Sequence, residues 1–324
     1  MHSYQELLRE VEKGLDGLHF ETPPESLYTP IAYTLSAGGK RLRPVLTLMA
    51  ADLYGAPLAE VLPVALCMEV FHNFTLLHDD LMDKADKRRN RPTVHKKWNP
   101  NTAILSGDAM LITAYRLLAD GPSESLKGLF DLFTATALEI CEGQMFDMEY
   151  EGRPAVSEAE YLEMIRLKTA VLLACSLKAG ALAASAPEAE ASCLYRFGLD
   201  LGLAFQLQDD LLDVYGDEAT FGKPIGGDIL SNKKTFPLIY ALAQAAPAER
   251  RLLQDWLTRT AFDPAEKIAA FHRVYETVGL PQVAEQRICA YHAEALAELS
   301  ACSLPPDRLR PLQDLAARLL HRQK

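Results

Sequence analysis

The spacing of apolar residues is the feature of this chain that most restricts its fold. Apolar residues recur every three or four positions along nearly the whole length, as in LAEVLPVALCMEVFHNFTLL and YLEMIRLKTAVLLACSLKAGALAA. The sequence lacks the sustained two-residue alternation that is typical of half-buried strands. The pattern predicts an all-α protein in which several helices are apolar around most of their circumference and lie at the centre of a bundle.

Length and composition favour one large domain. The chain has 324 residues, of which 49% are hydrophobic, and no Ser/Gly/Pro-rich linker interrupts it, so we expect a single domain over residues 1–324. The start, MHSYQELLREVEKGL, is charged and amphipathic, unlike a signal sequence, and Lys178 interrupts the longest apolar stretch. We therefore expect a cytoplasmic protein without stable membrane insertion.

Charge and cysteine content exclude several classes of function. The formal net charge of −11 argues against a general nucleic-acid or anionic-membrane surface, so any bound anion must meet a local cluster of basic residues. The six cysteines are scattered through apolar, helix-like segments without a CxxC pair. This distribution predicts buried, reduced thiols rather than disulfides or a zinc site.

Two acidic clusters follow apolar helical runs directly. Each has two adjacent aspartates and a third three positions later: Asp79, Asp80 and Asp83 in HDDLMD, and Asp209, Asp210 and Asp213 in QDDLLD. On a helix, residues four apart lie about 40° apart in azimuth and about 6 Å along the axis, so the first and third aspartates share a face and repel each other. Magnesium suits such oxygen ligands, because it takes one or two carboxylates and leaves its other positions to water and phosphate oxygens. The two clusters favour a phosphate or diphosphate bridged by magnesium between facing helices; a solvated acidic helix end and a structural calcium site are the alternatives.

A first group of basic residues lies in SAGGKRLRPV. Two glycines are expected where one helix stops, and a proline lies just inside the next. Lys40, Arg41 and Arg43 surround the start of that second helix, where cations oppose the helix dipole. This placement favours a polyanion bound at the helix N-terminus, although a solvated basic turn is the simpler interpretation of this motif alone.

Further basic groups accompany both acidic clusters. Arg88 and Arg89 follow the first cluster, and Lys223, Lys233 and Lys234 lie in the glycine-rich segment after the second. That segment is expected to close over a bound diphosphate. Each basic run alone is more often solvent-facing charge, so it is the repeated pairing with aspartates that favours a diphosphate site.

Taken together, these motifs resemble the all-trans polyprenyl diphosphate synthases, the class of farnesyl and geranylgeranyl diphosphate synthases. The motifs that carry the resemblance are GGKRLRP (38–44), LLHDDLMDKADKRRNRPT (76–93), LKT (167–169), FQLQDDLLD (205–213), GKPIGGD (222–228) and NKKT (232–235). The resemblance implies a helical bundle of the isoprenoid synthase type, with central helices around a deep active-site cavity. A terpene cyclase resembles the first acidic motif but usually carries a different second metal motif.

The resemblance also implies a reaction, the head-to-tail condensation of isopentenyl diphosphate with an allylic diphosphate, assisted by three magnesium ions. The implied metal ligands are Asp79, Asp83 and Asp209, with Asp80, Asp210 and Asp213 assisting. The implied contacts of the allylic diphosphate are Arg88, Lys168, Lys223 and Lys233. The implied contacts of isopentenyl diphosphate are Gly39, Lys40, Arg43, His72 and Arg89. Thr169, Gln206 and the carbonyl of Lys168 are expected to face the allylic cation, and the departing diphosphate is expected to take the final proton.

Three motif residues need separate comment. A lone histidine in an apolar helix is usually a hydrogen-bonded core residue, so His72 is assigned to the substrate only by its position in the motif. His78 is expected to support the adjacent aspartates rather than bind magnesium, which favours oxygen. Asn90 replaces the glycine usual in the family after the paired arginines, and because Asn also tolerates a left-handed backbone we expect little loss.

Product length is expected to depend on the helix before the first aspartates. Phe74 lies five residues before Asp79 and Thr75 four before, with Phe71 and Met68 deeper on the same face. Phe74 is a steric floor for the growing tail, which favours a product of fifteen to twenty carbons. The small Thr75 and the uninterrupted DDLMD resemble the geranylgeranyl-type pattern of the family more than the bacterial farnesyl type, which implies twenty carbons, geranylgeranyl diphosphate, with the farnesyl product as the alternative.

Two interpretations from other classes remain. One is a non-catalytic partner subunit with the same fold, and the other is a helical protein that binds diphosphate or metal without catalysis. A homodimer is expected from the resemblance alone.

Overall fold

The computed structural model describes residues 1–216 and 225–320. α-Helices dominate these residues, which confirms the all-α prediction. The helices are α1 Tyr4–Asp16, α2 Glu25–Leu35, α3 Leu42–Leu53, α4 Leu58–Met82, α5 Val94–Lys97, α6 Pro100–Ala119, α7 Leu126–Glu151, α8 Glu158–Ile165, α9 Val171–Ala183, α10 Glu188–Tyr215, α11 Gly227–Leu230, α12 Phe236–Gln244, α13 Pro247–Thr258, α14 Pro264–Thr277, α15 Leu280–Ser300 and α16 Pro306–Leu320. A π-helical turn, Arg166–Ala170, joins α8 to α9, and a short hairpin pairs β1 (Lys87–Arg88) with β2 (Arg91–Pro92) in antiparallel register.

Contacts along the chain define two compact units, each described here by itself. The first comprises residues 1–135, 172–195 and 300–312, and the second comprises residues 136–171, 196–299 and the described residues from Gln313 onward. The expectation of a single domain over the whole chain stays a prediction.

In the first unit, α4 is the central helix and packs against α1, α2, α3, α5 and α6. Apart from Arg43, every residue of α3 is buried, as the apolar pattern around its circumference predicts. A small residue is needed where α9 crosses α3, because a Cβ at Gly180 would lie 2.0 Å from the carbonyl oxygen of Thr47. The helix α1 begins with a capping box in which Ser3 and Glu6 satisfy each other's backbone amides.

The second unit has an aromatic core. Large buried side chains from α8, α12, α13 and α14 pack with the C-terminal half of α10: Tyr161, Phe236, Trp256, Phe271 and Tyr275. The helix α8 starts with a second capping box, formed by Ser157 and Glu160.

The prediction that all six cysteines are buried is wrong for two of them. Among the described residues none of the six cysteines forms a disulfide, and four are buried, but Cys141 and Cys289 are exposed. The expectation was wrong for these two because the apolar residues of a helix do not all face inward: Leu138 and Met145, near Cys141 on α7, are also exposed. In the described chain, α4 alone is long and apolar enough to span a membrane, and 61% of its most apolar window is buried within the protein.

Candidate active site

The first acidic cluster ends helix α4. Asp83 caps the helix, and its backbone amide donates a hydrogen bond of 2.8 Å to the carbonyl of Asp79, so these two residues lie one turn apart as their spacing predicts. Asp80 is buried, with 6% of its surface exposed, whereas Asp83 is exposed. The helix carbonyls already concentrate negative charge at this end, so three carboxylates there require cations nearby.

Arg88, on β1, provides one such cation. Its Nε donates to Asp80 at 2.8 Å and its Nη2 donates to Asp79 at 3.3 Å. Burial raises the pKa of Asp80 to about 6, although Arg88 opposes the shift. The hairpin turn consists of Arg89 and Asn90, with φ of 51° and 60°. Asn90 therefore adopts a left-handed backbone, which Asn was expected to tolerate, in a two-residue hairpin that favours this conformation.

Four of the residues predicted to bind isopentenyl diphosphate lie close together in the first unit. Arg89 donates to the carbonyl of Gly38, and a Cβ on Gly39 would lie 2.8 Å from the Arg89 guanidinium. Nη1 of Arg43 lies 3.1 Å from Nε2 of His72. Burial, with Arg43 and Arg89 nearby, lowers the pKa of His72, so the ring is neutral and its Nε2 accepts from Arg43. Lys40, just beyond Gly39, is exposed.

Arg41 differs from its basic neighbours. It has a left-handed φ of 47° and is buried, with 7% exposure. Its Nη1 donates to Glu69 at 2.7 Å, and its Nη2 donates to the carbonyl of Leu35 at 2.7 Å. The expectation that Arg41 faces a bound anion together with Lys40 and Arg43 is therefore wrong, because this guanidinium ties the loop to α2 and α4.

The second acidic cluster lies in the last two turns of α10, in the second unit. Asp210 is buried and accepts hydrogen bonds from the hydroxyl of Tyr161, from Nε2 of Gln206 at 3.0 Å and from the amide of Phe236 at 3.3 Å. Burial, and secondarily the charge of Asp228, raises the pKa of Asp210 to about 8. Three hydrogen bonds from within the protein therefore fix the position of the Asp210 carboxyl group.

The other members of this cluster are arranged differently. Asp209 is partly exposed, and Asp213 is one turn further along α10. Oδ2 of Asp213 accepts from the backbone amide of Asp228 at 3.0 Å, which brings the GGD motif next to the cluster. The amide of Lys233 in turn donates to the carbonyl of Asp228 at 3.0 Å. Lys223, the other lysine predicted for this segment, lies outside the described residues.

Lys168 and Thr169 lie on the π-helical turn Arg166–Ala170. Nζ of Lys168 is 2.5 Å from Oδ2 of Asp147 on α7. The Thr169 hydroxyl donates to Oε1 of Gln206 at 3.0 Å, and Gln206 continues the chain to Asp210. π-Helical turns are rare and frequently mark functional sites.

Sequence reasoning missed several of these neighbours. Asp147 and Tyr161 bind predicted site residues, yet neither belongs to a repeated pattern, so no signal in the sequence singled them out. Asp228 was quoted within the GGD motif but given no role. The roles assigned to the predicted residues stay predictions.

The residues predicted to set product length form an aromatic column on α4. The Phe74 ring packs between Phe71, with centroids 5.5 Å apart, and His78, at 4.8 Å. Phe71 is 1% exposed and packs edge-on against Phe133 at 5.0 Å. Thr75 donates its hydroxyl back to the carbonyl of His72 at 2.8 Å. Phe74 therefore lies between the aspartates and the buried part of α4.

Each acidic cluster, taken by itself, offers carboxylate oxygens, which are the donors that a hard divalent cation accepts. In the first unit Arg88 donates to Asp79 and Asp80, and in the second unit Tyr161 donates to Asp210. In residues 1–216 and 225–320, no three His, Cys, Asp or Glu side chains form a cluster ready to hold a metal. Carboxylate oxygens are ligands that magnesium accepts together with water and phosphate oxygens.

Comparisons with known proteins found similar sequences and similar solved structures. The polyprenyl synthetase family model matches residues 24–275. A geranylgeranyl diphosphate synthase from Methanosarcina mazei is 43% identical over 233 residues, covering 71% of this chain and 72% of that protein. A (2E,6E)-farnesyl diphosphate synthase from Mycobacterium bovis is 37% identical over 290 residues, covering 88% and 80%. A crystal structure of a geranylgeranyl pyrophosphate synthase matches with a TM-score of 0.93 at 42% identity, covering 100% of both chains.

Proposed function

Because the chain belongs to the polyprenyl synthetase family, we propose that it is a short-chain all-trans prenyltransferase. It condenses isopentenyl diphosphate with allylic diphosphates, and its principal product is geranylgeranyl diphosphate. The observation that carries this proposal is the placement of two aspartate clusters at the C-terminal ends of α4 and α10, the first of them beside Arg88. Such an arrangement is unfavourable for folding alone and favourable for a metal-bound diphosphate.

Asp79, Asp83 and Asp209 supply the carboxylates for magnesium, with three ions expected from the family pattern. These carboxylates would hold the ions, which would supply positive charge to stabilise the diphosphate that leaves the allylic substrate. Asp80 orients Arg88, which keeps a guanidinium beside the first cluster. Asp213 receives the amide of Asp228 and so supports the segment that carries Lys233.

The substrates are held by separate groups. Arg88, Lys168, Lys223 and Lys233 bind the allylic diphosphate. Gly39, Lys40, Arg43, His72 and Arg89 bind isopentenyl diphosphate, and the neutral His72 leaves both guanidinium charges for the phosphates. Thr169 points its proton at Gln206, so oxygen lone pairs remain for the allylic cation. The departing diphosphate accepts the final proton.

Product length follows from the aromatic column. Phe74 limits the tail at fifteen to twenty carbons, and Phe71 lies behind it. Relatives with either product resemble this chain, because the M. mazei protein is named for the twenty-carbon product and the M. bovis protein for the fifteen-carbon product. We favour twenty carbons on the small side chain of Thr75, and the farnesyl product is the second candidate.

We further propose that the protein is a cytoplasmic homodimer. In the first unit, large apolar side chains are exposed on α6 and at the start of α7: Ile104, Leu105, Ile112 and Phe130. In the second unit, exposed apolar side chains continue along α7: Leu138, Met145, Phe146 and Met148. Several large exposed apolar side chains of this kind in one chain are typical of a subunit interface.

The test is to incubate purified protein with magnesium, isopentenyl diphosphate and, in turn, five-, ten- and fifteen-carbon allylic diphosphates, and to identify products by mass spectrometry. Products that stop at twenty carbons support the proposal, and products that stop at fifteen support the farnesyl alternative. No product with any primer contradicts catalysis. Calorimetry with magnesium alone, then with magnesium plus diphosphate, then separates a metal-binding protein from a partner subunit that binds diphosphate.

A further inference from the structure

We propose that Gly143 and Gly202 are positioning residues. They pack against the π-helical turn Arg166–Ala170 from two sides and so fix the positions of Lys168 and Thr169 for catalysis. The inference rests on the proposed prenyl transfer, because it concerns the groups that face the allylic substrate. All of these residues belong to the second unit.

Gly143, on α7, lies against the backbone of the turn. A Cβ at this position would lie 2.4 Å from the backbone nitrogen of Lys168 and 2.8 Å from the carbonyl carbon of Leu167. Real Cβ atoms do not approach other atoms so closely, and a backbone atom cannot rotate out of the way as a side chain can. Any larger residue at 143 must therefore displace the turn itself.

Gly202, on α10, makes the equivalent contact from the other helix. A Cβ here would lie 2.6 Å from Cα and 2.7 Å from Cβ of Ala170, the last residue of the turn. Both glycines are buried. The π-helical turn thus contacts the backbone of α7 near the middle of the turn, at Lys168, and the backbone of α10 at the end of the turn, at Ala170.

Each helix contacts the turn a second time, through a polar side chain four residues after its glycine. On α7, Asp147 binds the Lys168 ammonium at 2.5 Å. On α10, Gln206 accepts the Thr169 hydroxyl proton at 3.0 Å. Residues four apart share a helix face, so one face of each helix provides both a space for the backbone and a partner for the functional side chain.

The close contacts at Gly143 and Gly202 explain how the π-helical turn, which is wider than an α-helical turn, is maintained. The turn is closed by a bond from the amide of Val171 to the carbonyl of Arg166, five residues apart, where an α-helix would use four. A methyl group at either glycine has to move the turn by about 1 Å to reach an ordinary contact distance, and a displacement of that size in a catalytic group reduces the rate by on the order of 100-fold.

The experiment compares Gly143→Ala and Gly202→Ala with Gly128→Ala. Gly128 is also on α7, but the nearest atom to its added Cβ is 3.8 Å away, so this variant controls for a methyl group on the same helix. We expect kcat with a ten-carbon primer to fall on the order of 100-fold in both test variants. The KM for isopentenyl diphosphate, whose proposed ligands lie in the first unit, is expected to stay within about threefold of the wild-type value, because the displacement is local.

Rates are normalised to the folded fraction measured by circular dichroism. A merely structural role would lower the melting temperature but leave the kcat of folded enzyme unchanged, which overturns the proposal. Should the alanine variants fail to fold, Asp147→Asn removes the charge partner of Lys168 without adding volume. For Asp147→Asn we expect a lower kcat with an unchanged KM for isopentenyl diphosphate. Wild-type kinetics in this variant would contradict the proposal that contacts from α7 position the π-helical turn. An inactive wild-type enzyme would instead refute the proposed function.

Discussion

Removal of the Phe74 ring is the most direct test of how this protein limits its product. Phe74→Ala deletes six ring carbons, which is about the space of one five-carbon isoprene unit. Burying such a unit stabilises the bound chain by up to about 4 kcal/mol at roughly 0.8 kcal/mol per methylene, so the tail grows until it meets a wall. The next wall is Phe71, which is 1% exposed and backed by Phe133 at 5.0 Å. We therefore expect the main product to lengthen by one unit, from twenty to twenty-five carbons.

The assay uses a fifteen-carbon primer with excess isopentenyl diphosphate and mass spectrometry of the products. The variant should lose about 2–3 kcal/mol of stability, less than a fully buried phenylalanine, so it should remain folded. Phe71→Ala alone is the ordering control: its products should keep the wild-type length because Phe74 still stands before it, and the double variant should exceed either single variant. Wild-type products from folded Phe74→Ala, or equal lengthening from Phe71→Ala alone, would refute this order.

Three further predictions concern the aspartates of the two clusters, the buried Arg41 and the partly buried Asp200. Asp79→Ala and Asp209→Ala should each lower initial rates by at least about 1,000-fold at saturating magnesium, because each removes a proposed metal ligand; an active variant removes that cluster from the mechanism. Arg41→Met should lower the free energy of unfolding in urea by about 3–5 kcal/mol, because it leaves the Glu69 carboxylate buried without its cation; a loss below about 1 kcal/mol contradicts this. Asp200 has a pKa raised to about 6 by partial burial and then by two neighbouring glutamates, so the folded state binds its proton more tightly and stability falls as pH rises from about 4 to about 6. Asp200→Asn should therefore stabilise the protein by about 1 kcal/mol at pH 8, after allowance for solvent screening, and by little at pH 4; equal effects at both pH values would be contrary to this assignment.

The helical architecture was predictable because it depends on local periodicity. The three- and four-residue spacing extends through α3 and α4, and the structure buries those helices on most sides. Motif spacing was equally informative within one element, since the geometry of Asp79 and Asp83 follows from helix parameters alone. That Asn90 can adopt a left-handed backbone could also be inferred from the sequence, because asparagine tolerates this conformation.

Other features depended on contacts distant in sequence. Arg41 looks like Lys40 and Arg43 in a list of charges, and only its pairing with Glu69, 28 residues away, separates a structural guanidinium from a substrate ligand. Gly143 and Gly202 lie inside long helices, where glycine normally weakens the element. Their value appears only when the π-helical turn is packed against them, and no periodicity predicts that turn.

The two aspartate motifs have the same spacing in sequence, but their middle aspartates have different partners in the structure. Both lie in the last turns of long helices, where negative charge is unfavourable. At α4, the middle aspartate is balanced by Arg88, a cation from the adjoining hairpin. At α10, the middle aspartate meets hydroxyl, amide and backbone donors, and its raised pKa favours the protonated form. A charge-removing substitution at the middle position therefore disturbs the first site more than the second, because Asp80 has an ion-pair partner to lose and Asp210 has none among these donors.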